Sequence, residues 1–386
     1  MLVPSPNYPT RLLQIKMEEF SEDIPSGEYT YLPIERVRFG PGSSRLLGEE
    51  LDRLGCKKPF LMTGRTIYGK TKLVSQVEEY SGRKFAGVFH EILQHAPLGP
   101  IRKAAQEAQE SGADALISLG GGSPIDSTKI LVKELSRDFS KPSLPHIAIP
   151  TTLSAAEFSH TAGMTDENQK RKMGVRDPRM VPRVVFLDPQ LTIPTPKWLW
   201  SSTGMRSLDH AVESIISPKH QPYVDTLASE AIRLIFRYLP KSSEDPTDLA
   251  SRLSCQMAAW MSYVGPISVG TGLSHAIGRV IGARYDIPHG ITSCITLAEV
   301  MRMTASKTPE RLIPIARAEG IQVDKMTVEQ AGLMGVDRVT ELLKELDLTR
   351  TLRSYNIPKQ DLSKIAEEVA SQQDAEEVLR ILERMY

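Results

Sequence analysis

The rhythm of apolar positions changes once along the chain. In the first half, short apolar runs alternate with helical patterns. KKPFLMTG (57–64) predicts a strand ending in a glycine turn, and TKLVSQVEEY after it has helical spacing. FAGVF (85–89) predicts a second strand, and IRKAAQEAQESG (101–112) a helix with a glycine stop. ADALISLGGG (113–122) predicts a buried strand running into glycines, from which SPIDSTKILVKEL opens a helix. PHIAIPTT (145–152) and PRVVFLDP (182–189) predict two further buried strands. Such alternation implies a mainly parallel sheet covered on both faces. After about residue 190 the strand signals fade. Amphipathic helices are predicted at 203–216, 222–238, 246–263, 271–283, 309–319, 327–346, 359–370 and 374–385.

Length and composition sharpen this picture only a little. At 386 residues the chain exceeds one ordinary core, so two domains are expected. The division reads as an N-terminal arm (1–30), an α/β nucleotide-type domain (31–190) and a helical substrate domain (191–386), with a cleft between the last two. Lys+Arg and Asp+Glu stand at 47 each, which gives no reason to expect a nucleic-acid or anionic-membrane partner. No apolar run approaches the ~20 residues of a membrane span, and the Pro-rich start lacks the apolar core of a secretory signal. Three cysteines without metal spacing suit a reducing compartment, so a cytoplasmic location is expected.

The chemistry begins at SLGGGSPIDSTK (118–129), which follows a predicted strand and enters a helix. Gly120, Gly121 and Gly122 let backbone approach a diphosphate, and a helix N-terminus supplies free N–H groups and a positive dipole end. Ser123 is placed to cap that helix, with Pro124 in its first turn. The run is neither GxGxxG nor GxxxxGK[ST].

GGGSPIDSTK, PTTLSAAEFSHTAGMTD, LDP, GMRSLDHAVE and GLSHAIGRVIGARYDIPHG occur in this order. Together they resemble the iron-containing alcohol dehydrogenase superfamily over roughly residues 33–386, and FGPG (39–42) resembles its opening FGxG. The shorter PTT segment, PTTLSAAEF with Glu157, and HAPLG (95–99) resemble the maleylacetate reductase branch. The resemblance implies a dehydroquinate synthase-like fold, a Rossmann-like α/β domain followed by an all-helical one. It also implies an NAD(P) site at Gly121, Gly122, Ser123, Asp126, Thr151, Thr152 and Lys172, and a homodimer. Gly64 stands where NAD-preferring members carry an acidic residue. No carboxylate there repels a 2′-phosphate and Arg65 can pair with one, so NADPH is expected over NADH.

Metal-dependent members bind iron or zinc through Asp and His four apart on one helix and two later histidines fourteen apart. Here His210, His275 and His289 match, but Arg206 replaces the aspartate. A guanidinium cannot ligate, and it repels a divalent ion by several kcal/mol at short range. Asp209 is expected to face elsewhere, toward Arg206 or solvent, because adjacent helical residues diverge by about 100°. Where dehydrogenases of the family carry a further histidine, this chain has Arg279, one turn past His275.

Two arginines and three histidines in a cleft predict a carboxylate or phosphate clamp, so a small anionic substrate is expected. The favoured reading is an NAD(P)H-dependent, metal-independent reductase of an oxo acid or enone. The alternatives are a metal-dependent alcohol dehydrogenase and a relative repurposed for a non-redox biosynthetic step. Among other residues, His146 reads as core, His160 could line the cleft, and Tyr285 could reach the pocket.

Overall fold

The computed structural model describes residues 28–94, 96–136, 143–166, 171–370 and 374–386, with the side chains of 165, 166 and 171–173 outside the description. The expected N-terminal arm, except its last residues, and His95 of the HAPLG motif therefore lie outside the described residues.

Six parallel strands form the main sheet, in the order β1-β8-β5-β4-β2-β3. They are β1 (Arg36–Phe39), β2 (Pro59–Gly64), β3 (Gly87–Ile92), β4 (Ala115–Gly120), β5 (His146–Pro150) and β8 (Val184–Leu187). Every residue of β4, β5 and β8 is buried, as required of strands covered on both faces. The helices of this half are α1 (Leu47–Arg53), α2 (Arg65–Lys70), α3 (Leu73–Ser81), α4 (Leu98–Glu110) and α5 (Gly122–Leu135). Two features were not anticipated. Strand β1, RVRF, is short and charged, and its two arginines lie on one face and converge on the buried Glu50 at 3.1 and 2.6 Å. Strands β6 (Thr161–Asp166) and β7 (Arg171–Arg176) pair as an antiparallel hairpin outside the main sheet. Their polar, glycine-containing sequences carry little strand signal.

The second half is helical: α6 (Lys197–Ile216), α7 (Pro222–Glu244), α8 (Leu249–Ser262), α9 (Val264–Ser268), α10 (Leu273–Arg284), α11 (His289–Lys307), α12 (Ile313–Ala318), α13 (Val328–Glu345), α14 (Leu362–Val369) and α15 (Ala375–Arg384). Helix α11 was not anticipated. Its HGITSCITLAEV stretch is buried nearly all round, so it lacks the polar face on which helical periodicity depends. Hydrophobic core runs from Ala148, Val185 and Leu187 of the sheet into α6, α7, α10, α11 and α13, so one face of the sheet is packed directly by the helices. No described helix is long and apolar enough to cross a membrane. The three cysteines are unpaired and buried.

Helices α6 and α11 meet backbone to backbone. A Cβ added at Gly290 would lie 2.7 Å from the Ser202 carbonyl oxygen and 2.8 Å from its carbon, main-chain atoms that cannot step aside. Gly290→Ala should therefore lower unfolding free energy by about 1–3 kcal/mol in urea titrations, with a matched change at the exposed Gly69 having no such effect.

Candidate active site

The sheet reverses direction of growth between β2 and β4. From β2 the chain moves outward to β3; β4 then pairs on the other side of β2 and leads to β5. Crevices of this kind, at the carboxyl ends of the strands, are where open α/β sheets bind ligands. The turns that flank it here are Gly64–Arg65 after β2 and Gly120–Gly122 after β4.

Each glycine of the second turn has its own constraint. Gly120 has φ +143°, and a Cβ there would meet Pro124 at 2.8 Å. A Cβ at Gly121 would meet Thr152 at 3.0 Å, and one at Gly122 would meet Ser154 at 3.3 Å. The loop thus lies close against the PTT segment. Helix α5 starts at Gly122 with Gly121 as its N-cap and no side-chain cap, which corrects the expectation that Ser123 caps it. Ser123 is the second helical residue, and the helix N-terminus keeps its uncapped amide face. Across the loop, Thr152 Oγ1 is buried without a hydrogen-bond partner. The Thr151 amide donates to the Gly120 carbonyl (2.9 Å), joining the two segments. Asp126 pairs with the fully buried Lys129 (3.0 Å), which also donates to Ser159 Oγ (3.1 Å) and the Thr161 carbonyl (2.9 Å). Arg65 is exposed at the start of α2, and Gly64 precedes it in extended backbone. The side chain of Lys172, another expected cofactor contact, lies outside the described residues.

The second centre is built on α6. Arg206, Asp209, His210 and Glu213 fall at i, i+3, i+4 and i+7, on one helical stripe. Thr203 and Ser207, on the neighbouring stripe, bond the Leu153 amide (3.1 Å) and carbonyl (2.6 Å), fixing α6 to the PTT segment. Glu213 is buried and accepts from the amides of Gly272 (2.8 Å), Ser274 (2.6 Å) and His275 (3.3 Å), so it caps α10. His275 Nδ1 lies 2.6 Å from Glu213 Oε2 and 3.4 Å from Asp209 Oδ2, out of line for hydrogen bonding to either. The His210 and His275 rings stand 4.9 Å apart, and Tyr263 meets His210 edge-on at 4.8 Å.

Arg206, with its side chain only 15% exposed, donates to Ser293 Oγ (3.0 Å) and lies 3.6 Å from Asp209 Oδ2. Asp209 accepts from Ser274 Oγ (3.0 Å) and Ser293 Oγ (2.6 Å). This corrects the expectation that Asp209 faces away from the ligand set: it pairs with Arg206, but it is fully buried and also turned toward His275. Asp209, Glu213 and His275 together bring ligand-type atoms within 4.8 Å of one another. Sequence reasoning overlooked Glu213, although its i+4 spacing from Asp209 was visible.

Burial keeps the histidines neutral. His275 is pulled down to about 3 by desolvation and then by the Arg206 charge, and His210 falls well below its ordinary value for the same reasons, with His275 adding to the effect. Burial also pulls Arg206 down, opposed by Asp209 and Glu213. Arg279 and His289 do not join this buried group: both are exposed, although the Arg279 charge still acts on Arg206 and His275. His289 begins α11, with Nδ1 3.7 Å from where a Cβ on Gly282 would stand. His146 is a core residue bonded to Ser118 Oγ (2.8 Å), as expected, and the Tyr285 hydroxyl is engaged by Asp361 (2.8 Å).

A glycine loop at a sheet switch point, joined through one helix to a buried cation–imidazole centre, is an arrangement that suits a dinucleotide-dependent oxidoreductase. The Iron-containing alcohol dehydrogenase family matches residues 34–189, and the Fe-containing alcohol dehydrogenase family, C-terminal, matches residues 201–383. Lactaldehyde reductase of Escherichia coli (strain K12) is 31% identical, across 86% of this chain and 91% of that protein. Maleylacetate reductase of Pseudomonas sp. (strain P51) is 32% identical, across 88% and 90%. Among solved structures, 1,3-propanediol oxidoreductase superposes with a TM-score of 0.88 at 25% identity, covering 93% of this chain and all (100%) of that one. The chain belongs to the iron-containing alcohol dehydrogenase family and is an NAD(P)-dependent oxidoreductase. Because that family is named for iron, the expectation of a metal-free centre gains no support from membership.

Glu157, in the PTT segment, offers a test of this region. It is fully buried with Oε2 unpartnered, and burial pushes its carboxyl up to about 7. A carboxyl raised on folding contributes stability that is complete below its ordinary 4.5 and is lost as pH rises through about 7. Unfolding free energies of wild type and Glu157→Gln should therefore diverge in the variant's favour by about 2 kcal/mol between pH 5 and pH 8. Parallel curves would place the ionised carboxylate in a solvated setting instead.

Proposed function

We propose that the protein reduces the carbonyl or activated C=C of a small anionic substrate with NAD(P)H, with Arg206 taking the electrophilic role that metal-dependent relatives give to an ion. One observation carries this reading: a nearly buried guanidinium stands at the fourth position of the ligand set, held by Ser293 and Asp209 beside His210 and His275.

The residues do not fit a divalent ion as they are arranged. Arg206 cannot ligate, and its guanidinium stands beside the imidazoles that would have to. In the alternative cluster, Glu213 is occupied by three amides and Asp209 by two hydroxyls and the guanidinium. A second cation there would meet fixed positive charge at short range.

A dinucleotide does fit. The Gly120–Gly122 turn and the uncapped start of α5 are suited to a diphosphate, and the orphaned Thr152 hydroxyl faces that turn. When bound, the reduced nicotinamide supplies the hydride. Arg206 polarises the acceptor oxygen and stabilises the charge that develops on it. The neutral rings of His210 and His275 add hydrogen-bonding capacity without adding charge. His289, exposed at the start of α11, is the group placed to exchange the balancing proton with solvent. Asp209 holds the guanidinium in place, and Glu213 holds the helix that carries His275. Gly64 and Arg65 favour NADPH, since no carboxylate stands after β2 and a cation follows.

Maleylacetate and lactaldehyde, the compounds for which two relatives are named, separate the anionic from the neutral substrate class. NADPH oxidation should occur with maleylacetate and should persist in EDTA. Arg206→Ala should lower kcat by about 10²–10³-fold. Activity abolished by chelation and restored by iron or zinc would overturn the proposal. For cofactor choice, Gly64→Asp should move the NADPH-to-NADH ratio of kcat/KM toward NADH by about tenfold or more, a change of ~1.4 kcal/mol. An unmoved ratio would remove Gly64 and Arg65 from the cofactor site.

A further inference from the structure

A cavity of about 330 Å³ lies between the β6–β7 hairpin and the segment from Tyr263 to Gly270 that leads into α10. It shares Tyr263 with the centre described above, since that ring lies edge-on to His210. Its lining is chemically one-sided. Arg176, Lys219 and His160 contribute nitrogen groups, Ser159, Thr161 and Ser268 contribute hydroxyls, and among the described residues no carboxylate lines it. Cations gathered around a concave surface raise the local concentration of anions.

His160 strengthens the asymmetry. It is buried, and its Nε2 accepts from Arg176 Nε, which leaves the ring proton on Nδ1. That Nδ1 is a buried donor with no acceptor among the described residues. Desolvation, then Arg176 and Lys129, hold the ring neutral, so it offers the cavity a hydrogen-bond donor rather than a charge. Behind it, the buried Lys129 bonds Ser159 Oγ (3.1 Å) and holds that hydroxyl in this wall, its charge offset by Asp126 (3.0 Å).

We propose that this cavity takes the anionic end of the substrate, a carboxylate or phosphate group, with Arg176 and Lys219 as its charge partners. The inference rests on the reductase reading for the substrate's other end. It commits to something that reading does not: specificity for the charged group resides on the hairpin and at Lys219, outside the helices that carry the histidines. Arg176 supplies a planar fork suited to two oxygens, and Lys219 a point charge.

The full-length protein tests this in two ways. By titration calorimetry, succinate or inorganic phosphate should bind the wild type, and Arg176→Gln/Lys219→Gln should weaken that binding at least tenfold. Preference for one probe identifies carboxylate or phosphate as the natural group. In turnover, Arg176→Gln should reduce the preference for maleylacetate over lactaldehyde at least tenfold, through KM rather than kcat. The rise in melting temperature caused by NADPH should be retained. Absence of binding by either probe to the wild type, or an equal loss for charged and neutral substrates, would overturn the proposal. Failure of the reductase reading would show instead as no NADPH turnover while calorimetric binding and its loss in the variant persist.

Discussion

The catalytic half of this molecule depends on one carboxylate. Glu213 projects from α6 and accepts the first amides of α10, satisfying donors that would otherwise be buried without partners at the start of that helix. The bond set ties two helices that are about sixty residues apart in sequence and fixes His275 against His210. Thr203 and Ser207, earlier on α6, bind the PTT segment, which in turn packs on the glycine turn. One helix therefore registers the dinucleotide crevice against the imidazole centre, and any shift of α6 would be felt at both.

Charge is arranged around this frame with little slack. Arg206 is nearly buried, a costly position for an ion unless it is paired and hydrogen-bonded. Asp209 and Ser293 meet that requirement, and Ser274 and Ser293 then satisfy the Asp209 oxygen that faces the guanidinium. Burial raises the Asp209 carboxyl, while His275 and Arg206 act in the other direction. The neighbouring histidines remain neutral chiefly because they are buried, with the Arg206 charge acting in the same direction.

The parts of the fold that were legible in the sequence are those with strong period or composition: the buried runs of β2, β4, β5 and β8, the glycine turn, and the long amphipathic helices. The parts that were not legible had competing signals. Helix α11 is buried on too many sides to show a polar face, and β1 carries arginines whose partner, Glu50, lies a helix away. The hairpin β6–β7 is polar and short. At the site, Arg206, His210 and His275, which the motifs marked together, lie side by side in one buried group, because i,i+4 spacing and the later histidine are local patterns. They did not reveal that Arg279 and His289 are exposed, which depends on how α10 and α11 turn relative to α6. Glu213 was missed because its role, capping a helix that begins far along the chain, leaves no local trace.

The hydroxyl groups around Asp209 have a consequence for the family's chemistry. Ser274, Ser293 and Thr296 form a small rotatable network, Ser274 Oγ lying 2.6 Å from Thr296 Oγ1. A hydroxyl has no fixed polarity and can turn either its proton or its lone pairs toward a neighbour. Such a lining tolerates reversal of the charge at position 206 without rebuilding the helices. The hydroxyls, unlike the carboxylate beside them, therefore do not commit this part of the helical half to one sign of charge.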